Sequence, residues 1–161
     1  MATAVYANPS DLAILQAVLH RHEYVDNGAT RLVGTIITQF LTEPGTQANW
    51  ERMHNAIQHF MNTNTAQQSH VGLRVLVTLA DGHVAYDTSK TNTWANFRAN
   101  TINENHNSRP AIMSALLGNL GMGYEVKYSS TDNQKEAYHV QRMGPSSHNA
   151  LGCIRISVKS V

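Results

Sequence analysis

The chain has 161 residues, with 12 Lys+Arg against 11 Asp+Glu, 14% charged and 42% hydrophobic residues. A chain of this size forms one compact domain and buries ~70% of its unfolded surface, so folding requires neither disulfides nor a metal. The near-neutral balance gives no electrostatic footprint for nucleic acid or an acidic membrane, and the apolar content excludes disorder. The unusual feature is polarity without charge: 15 Asn, 14 Thr and 9 His stand beside 4 Lys. The lone cysteine, Cys153, excludes an intramolecular disulfide. No basic start followed by an apolar core marks a signal peptide. The longest apolar stretch, Leu32 to Leu41, is broken by Gly34, Thr35, Thr38 and Gln39 and is too short to span a bilayer. A soluble chain is expected, with no compartment indicated.

Residues 1–70 read as a helical segment and residues 71–161 as a sheet domain, together one compact unit. The first helix is expected to start at Asn8-Pro9, where Asn caps free amides and Pro suits the first turn. Its apolar stripe runs Leu12, Leu15, Leu19, then Ala29, Val33, Ile36 and Phe40, in steps of three and four. A break is expected near Asn27-Gly28, and Pro44-Gly45 ends the run. A second helix, about Gln47 to Met61, buries Trp50, Met53, Ile57, Phe60 and Met61. A polar loop follows, from Asn62 to Ser69.

From Val71 the period becomes two. Leu73 to Leu79 reads as a strand, Ala80-Asp81-Gly82-His83 as a tight turn, and Val84 to Asp87 as the returning strand. An Asn-rich connection, Thr88 to Ser108, carries six Asn between Asn92 and Asn107 and is anchored by Trp94, Phe97 and Ile102. Pro110 opens a short helix through Leu117, and Gly118 stops it. Strands follow at Tyr124–Ser129, Lys135–Met143 and Leu151–Val158. The fold class is α+β: a five-stranded antiparallel sheet with a long N-terminal helix and a second helix packed against it. The helices are the expected cover of its apolar face.

These residues also carry a resemblance. The hairpin Leu79-Ala80-Asp81-Gly82-His83-Val84-Ala85-Tyr86-Asp87 resembles the first hairpin of PAS-like extracytoplasmic sensor domains, the Cache domains, especially those of bacterial sensor histidine kinases. Glu104-Asn105-His106-Asn107-Ser108-Arg109-Pro110-Ala111-Ile112 resembles their crossover motif: Glu-Asn-His, two residues, Arg-Pro, usually Glu, then Ile. Ala111 stands in place of the usual Glu. Gly123 to Ser129 with Tyr138 is similar to the next two strands, and Gly152-Cys153-Ile154-Arg155-Ile156 to the closing strand, where a Gly and an Arg are common. The likeness covers roughly residues 71–158. It implies a PAS/Cache-like sheet and a ligand-sensing ancestry. Members usually carry flanking transmembrane helices and a signalling domain, and these 161 residues contain neither.

Arg109, with Asn105 and His106, is the first candidate ligand site. An Arg beside a PAS-like pocket forks onto a small carboxylate; alternatively, Asn and His before a Pro-started helix pin the loop. The loop role is preferred. Tyr128, Tyr138, His139 and Arg142 sit on adjacent predicted strands, with Tyr138 and Arg142 sharing one face and His139 on the other. Tyr128, Tyr138 and Arg142 join the candidate ligand set, beside the blander reading of an ordinary cross-strand surface. Leu12, Leu15, Leu19, His22 and Asp26 form a candidate interface seam that would pair with a second copy. His22 and Asp26, one helical turn apart, read as a register-fixing pair rather than a metal or pH-sensitive site.

No His-Glu-x-x-His pattern, Gly-x-Ser-x-Gly elbow, dinucleotide loop or paired carboxylates occur. No enzyme, cofactor or metal is expected. Two functions stand close to even: a non-enzymatic sensory module binding a small molecule, and a structural or assembly subunit of a virion, filament or multiprotein complex. The expected partners are a small ligand, another copy or other protein subunits. The Asn-rich surface suits either a pocket rim or a contact surface.

Overall fold

The computed structural model describes residues 14–16, 18–19, 31–65, 73–100, 104–129, 134–144 and 149–159. Helical backbone at 14–16 and 18–19 precedes α1 (Arg31–Thr42) and α2 (Gln47–Thr65). The turn at Glu43-Pro44-Gly45 separates the two helices, and α2 continues four residues past its expected end. The predicted start at Asn8-Pro9, the break at Asn27-Gly28, and Leu12, His22 and Asp26 lie outside the described residues. Of the predicted seam, Leu15 is buried and Leu19 is packed against the chain's own core. Those two leucines are therefore spent within one copy.

The sheet contains β1 (Arg74–Leu79), β2 (Val84–Asp87), β3 (Met122–Ser129), β4 (Gln134–Met143) and β5 (Gly152–Lys159). The connection between β2 and β3 carries α3 (Trp94–Asn100) and α4 (Pro110–Leu117). The strand order is β2-β1-β5-β4-β3, every pair antiparallel, so the last strand in the chain is the central one. Alternation splits its side chains between two environments. On one face Val75, Val77, Ile154 and Ile156 meet Phe40, Trp50 and Ile57 of the helices. On the other, Leu76, Val84, Val140 and Cys153 lie under Ala111, Ile112, Ala115 and Leu116 of α4. The sheet is thus covered on both faces, not only by the N-terminal helices. The Asn-rich connection is held by its own amides: Asn92 Nδ2 donates to Thr88 O and Asn96 Nδ2 to Lys90 O.

A bulge ties helices to sheet. Val77 pairs with Tyr86 and Thr78 with Val84, which leaves Ala85 as the extra residue. Trp50 Nε1 donates to the Ala85 carbonyl at 2.9 Å. Around that bond the Trp50 ring stacks on His54, and the Tyr86 hydroxyl accepts a hydrogen bond from Gln58 Nε2. Trp50→Phe leaves a buried carbonyl unpaired and a small cavity. A loss of about 2–4 kcal/mol is expected in urea denaturation; a loss within experimental error would show that water replaces the donor.

Candidate functional site

The crossover loop before α4 is built against the β1–β2 turn. Asn105 bridges His83, its Nδ2 donates to Asp81 O at 3.1 Å, and its Oδ1 accepts the Asn107 N–H at 2.7 Å. The His106 N–H donates to Gly82 O at 2.9 Å. Gly82 has a φ of +91°, and a Cβ there would lie 2.5 Å from Asn107 Cβ. Only glycine allows both the turn and this approach. Asp81 receives hydrogen bonds from the His83 N–H and ring; burial raises its pKa, but these bonds outweigh it and hold the carboxyl below its ordinary value.

The Arg109 N–H closes the loop on His106 O, and α4 starts at the next residue. Arg109 keeps an extended backbone, and its side chain makes no capping bond. The first turn of α4 therefore lacks a side-chain cap from Arg109. Beside it lies a cleft lined by Arg109, Ala111, Ile112, Glu125, Lys127, Tyr138 and Arg155. Its space is about 250 Å³ with the open mouth included. The part closed off by side chains holds about one water, so an occupant is small or enters as side chains swing aside.

Arg155 is the central group. It stands on β5 between Leu76 of β1 and Val140 of β4, and it is only 5% exposed. Its guanidinium carbon sits 4.9 Å from the centre of the Tyr138 ring. Among the described residues no carboxylate lies within ion-pair distance of it and its Nε is buried without a hydrogen bond, while the Asp87 charge acts on it from further away. The nearby carboxylates are engaged elsewhere. Asp87 accepts from Arg74 at 3.3 Å and from the Ser89 N–H and hydroxyl. Glu136 lies between Arg74 at 4.0 Å and Lys159 at 3.9 Å. Glu125 pairs with Lys127 at 3.1 Å. Burial lowers the Arg155 pKa from its ordinary value, yet a guanidinium stays charged at neutral pH. A buried cation without a carboxylate costs free energy unless something pairs with it.

Burial also controls the neighbouring groups. Desolvation, reinforced by the hydrogen bond and charge of Glu136, pushes the Tyr138 phenol up to about 12, so it stays a neutral donor. His106, 6% exposed, is pushed down to about 4 by burial and then by the Arg109 and Arg155 charges. Burial raises Cys153 to about 11, and it rests 3.0 Å from Thr78 Oγ1 as a protonated core thiol.

Of the predicted ligand residues, the structure brings Arg109 and Tyr138 together in the cleft. His106 is buried behind the crossover, and Asn105 is taken up by the turn. Arg142 shares the Tyr138 face but lies nearer the other end of β4, where its Nη1 donates to Gly118 O at 3.0 Å and its guanidinium covers Gly121. Tyr128 does not belong to the cleft. It is 59% exposed and follows Lys127 on β3, so its side chain leaves from the opposite face. Arg155, Glu125 and Lys127 were not among the predicted site residues. Alternation along β5 places Arg155 with Cys153 and Ser157, but its neighbours depend on strand order.

Among the described residues, no group of three His, Cys, Asp or Glu is arranged to hold a metal ion, and no helix is long and apolar enough to cross a membrane. Neither a protein-family model nor a curated protein matches the chain. A solved structure does: the sensor domain of the histidine kinase DctB from V. cholerae, with a TM-score of 0.56 and 13% sequence identity. The match covers 92% of this chain and 51% of that one, so this chain spans about half the length of the structure it matches. At that identity the likeness is one of fold alone: the chain shares the fold of that sensor domain.

Proposed function

We propose that this protein is a non-enzymatic sensory module that binds a small anion, such as a carboxylate, in the cleft between α4 and the sheet. The observation that carries this reading is Arg155, a buried cation with no carboxylate in contact with it, lining a cleft beside Arg109, Tyr138 and the uncapped start of α4. Three cations and one carboxylate line the space. An entering anion finds the guanidinium forks of Arg109 and Arg155 beside the uncapped start of a helix.

The test is thermal and chemical denaturation against a library of small carboxylates and amines. A ligand at a hundred times its Kd adds ~2.7 kcal/mol. Arg155→Met separates binding from folding. It removes the unpaired charge while keeping much of the volume, so the unliganded protein is expected to gain about 1 kcal/mol or more. The ligand shift is expected to vanish. An unliganded Arg155→Met that is markedly less stable, or a wild type that no compound shifts, would overturn the reading.

A second reading, as an assembly subunit, has one supporting observation. Met113, Leu117 and Leu120 are 44%, 70% and 58% exposed on and just after α4. Large exposed apolar residues gathered in one segment favour contact with protein. Light scattering in the presence of native neighbours distinguishes it from ligand sensing.

A further inference from the structure

β3 is an edge strand. Its inner side pairs with β4 over eight residues, and among the described residues no strand lies on its outer side. Which amides point outward follows from one bond. The Arg142 N–H donates to Gly121 O at 2.7 Å, one step beyond the Met122–Gln141 pair. Gly121 therefore faces β4, and by alternation so do Gly123, Glu125 and Lys127. The N–H and C=O groups of Met122, Tyr124, Val126 and Tyr128 face outward. An eight-residue edge of this kind is a template for pairing unless something blocks it.

Lys127, as an edge charge, is the obvious blocking device. It stops blocking in one register. If a second copy of β3 pairs antiparallel about a two-fold axis, outward residues must meet outward residues. Three centres near the middle of the strand satisfy that. Centring on Glu125 puts two carboxylates opposite each other, and centring on Lys127 puts two ammonium groups opposite each other. Centring on Val126 puts Glu125 opposite the second copy's Lys127, twice. The same register sets Tyr124 opposite the second copy's Tyr128, which is 59% exposed in the single copy. Glu125 and Lys127 already lie 3.1 Å apart within one chain, so both charges stand on one face, ready to extend into a four-charge cluster. Aromatic and opposite-charge cross-strand pairs both stabilise antiparallel pairing.

We infer that the protein self-associates through β3, edge to edge about a two-fold axis at Val126, making one sheet continuous through both copies. The edge shares Glu125 and Lys127 with the cleft lining, but the inference rests on strand pairing, is read as molar mass without ligand, and stands without the cleft reading.

Charge reversal tests it, read as molar mass by light scattering. The wild type is expected to weigh twice its 17.8 kDa at the highest concentration it tolerates. Glu125→Lys places lysines opposite lysines, and Lys127→Glu places glutamates opposite glutamates, so each variant alone is expected to be monomeric. An equal mixture of the two restores both opposite-charge pairs and is expected to return to the dimer mass. Only folded chains can give that rescue, so misfolding cannot imitate it. A monomeric wild type would overturn the inference, as would single variants that remain dimeric or a mixture that stays monomeric.

Discussion

Stability is expected to fall steeply between pH 6.5 and pH 4, with the uptake of up to two protons on unfolding. His106 and His139 are 6% and 4% exposed, and each is held down to about 4, against an ordinary value of 6.5. For His139 the cause is burial, with the ring stacked 4.6 Å from that of Tyr124. For His106 burial leads, and the Arg109 and Arg155 charges add to it. Above pH 6.5 both histidines are neutral in either state and the full stability is present. Below it the unfolded chain takes protons that the folded chain refuses, so stability drops until the folded groups titrate near pH 4. Each histidine accounts for a loss on the order of 3 kcal/mol over that window. Asp87 extends the loss below its ordinary carboxylate value: burial raises its pKa, but hydrogen bonds from Ser89 and the Arg74 and Arg155 charges outweigh that and lower it overall. Urea midpoints measured from pH 7.5 to 4 check this. His106→Gln and His139→Gln are each expected to flatten the slope by one proton. A wild-type stability that is level down to pH 4 would show that both rings protonate freely in the folded protein.

The second large effect is expected from glycines that hold backbones together. A Cβ on Gly123 would lie 2.9 Å from Ala111 Cα and 3.0 Å from Ala111 C, where α4 crosses β3. A Cβ on Gly152 would run into the Thr78 carbonyl and lie 3.1 Å from Leu41 Cδ2. The obstacle in both cases is main chain, which cannot swing away. Gly123→Ala and Gly152→Ala are each expected to cost about 3 kcal/mol or more, at the upper end for overpacking. Their signatures differ. Gly123→Ala lifts α4 and opens the cleft, so hydrogen exchange is expected to accelerate first in Pro110–Leu117. Gly152→Ala separates β5 from β1 at the centre of the sheet and lowers protection globally. Gly45→Ala is the control, because nothing lies within 4 Å of its added Cβ. It is expected to stay within about 0.5 kcal/mol of the wild type. If Gly123→Ala is equally silent, α4 is free to shift and does not define the cleft.

Local structure was legible in the residues alone. Alternation from Leu73 onward, the Asp81-Gly82 turn, Pro110 at a helix start and steps of three and four near Val33 each encode an element through contacts a few residues apart. The crossover motif also pointed to Arg109 and its loop. What it did not carry was the relation between strands. Alternation tells which residues of one strand share a face, but not which face of the next strand they join. Tyr128 shows the consequence: a plausible companion of Tyr138 from sequence, it sits opposite Lys135 on the other side of the sheet. Arg155 shows the converse. It becomes a buried, unpaired cation because the last strand inserts at the centre, beside β1 and β4, while Arg74 and Lys159 engage the nearby carboxylates. Charge burial depends on every neighbour at once, and those neighbours come from distant segments, as the pairing of Leu76 with Arg155 shows. They meet only once the strands have taken their places in the sheet.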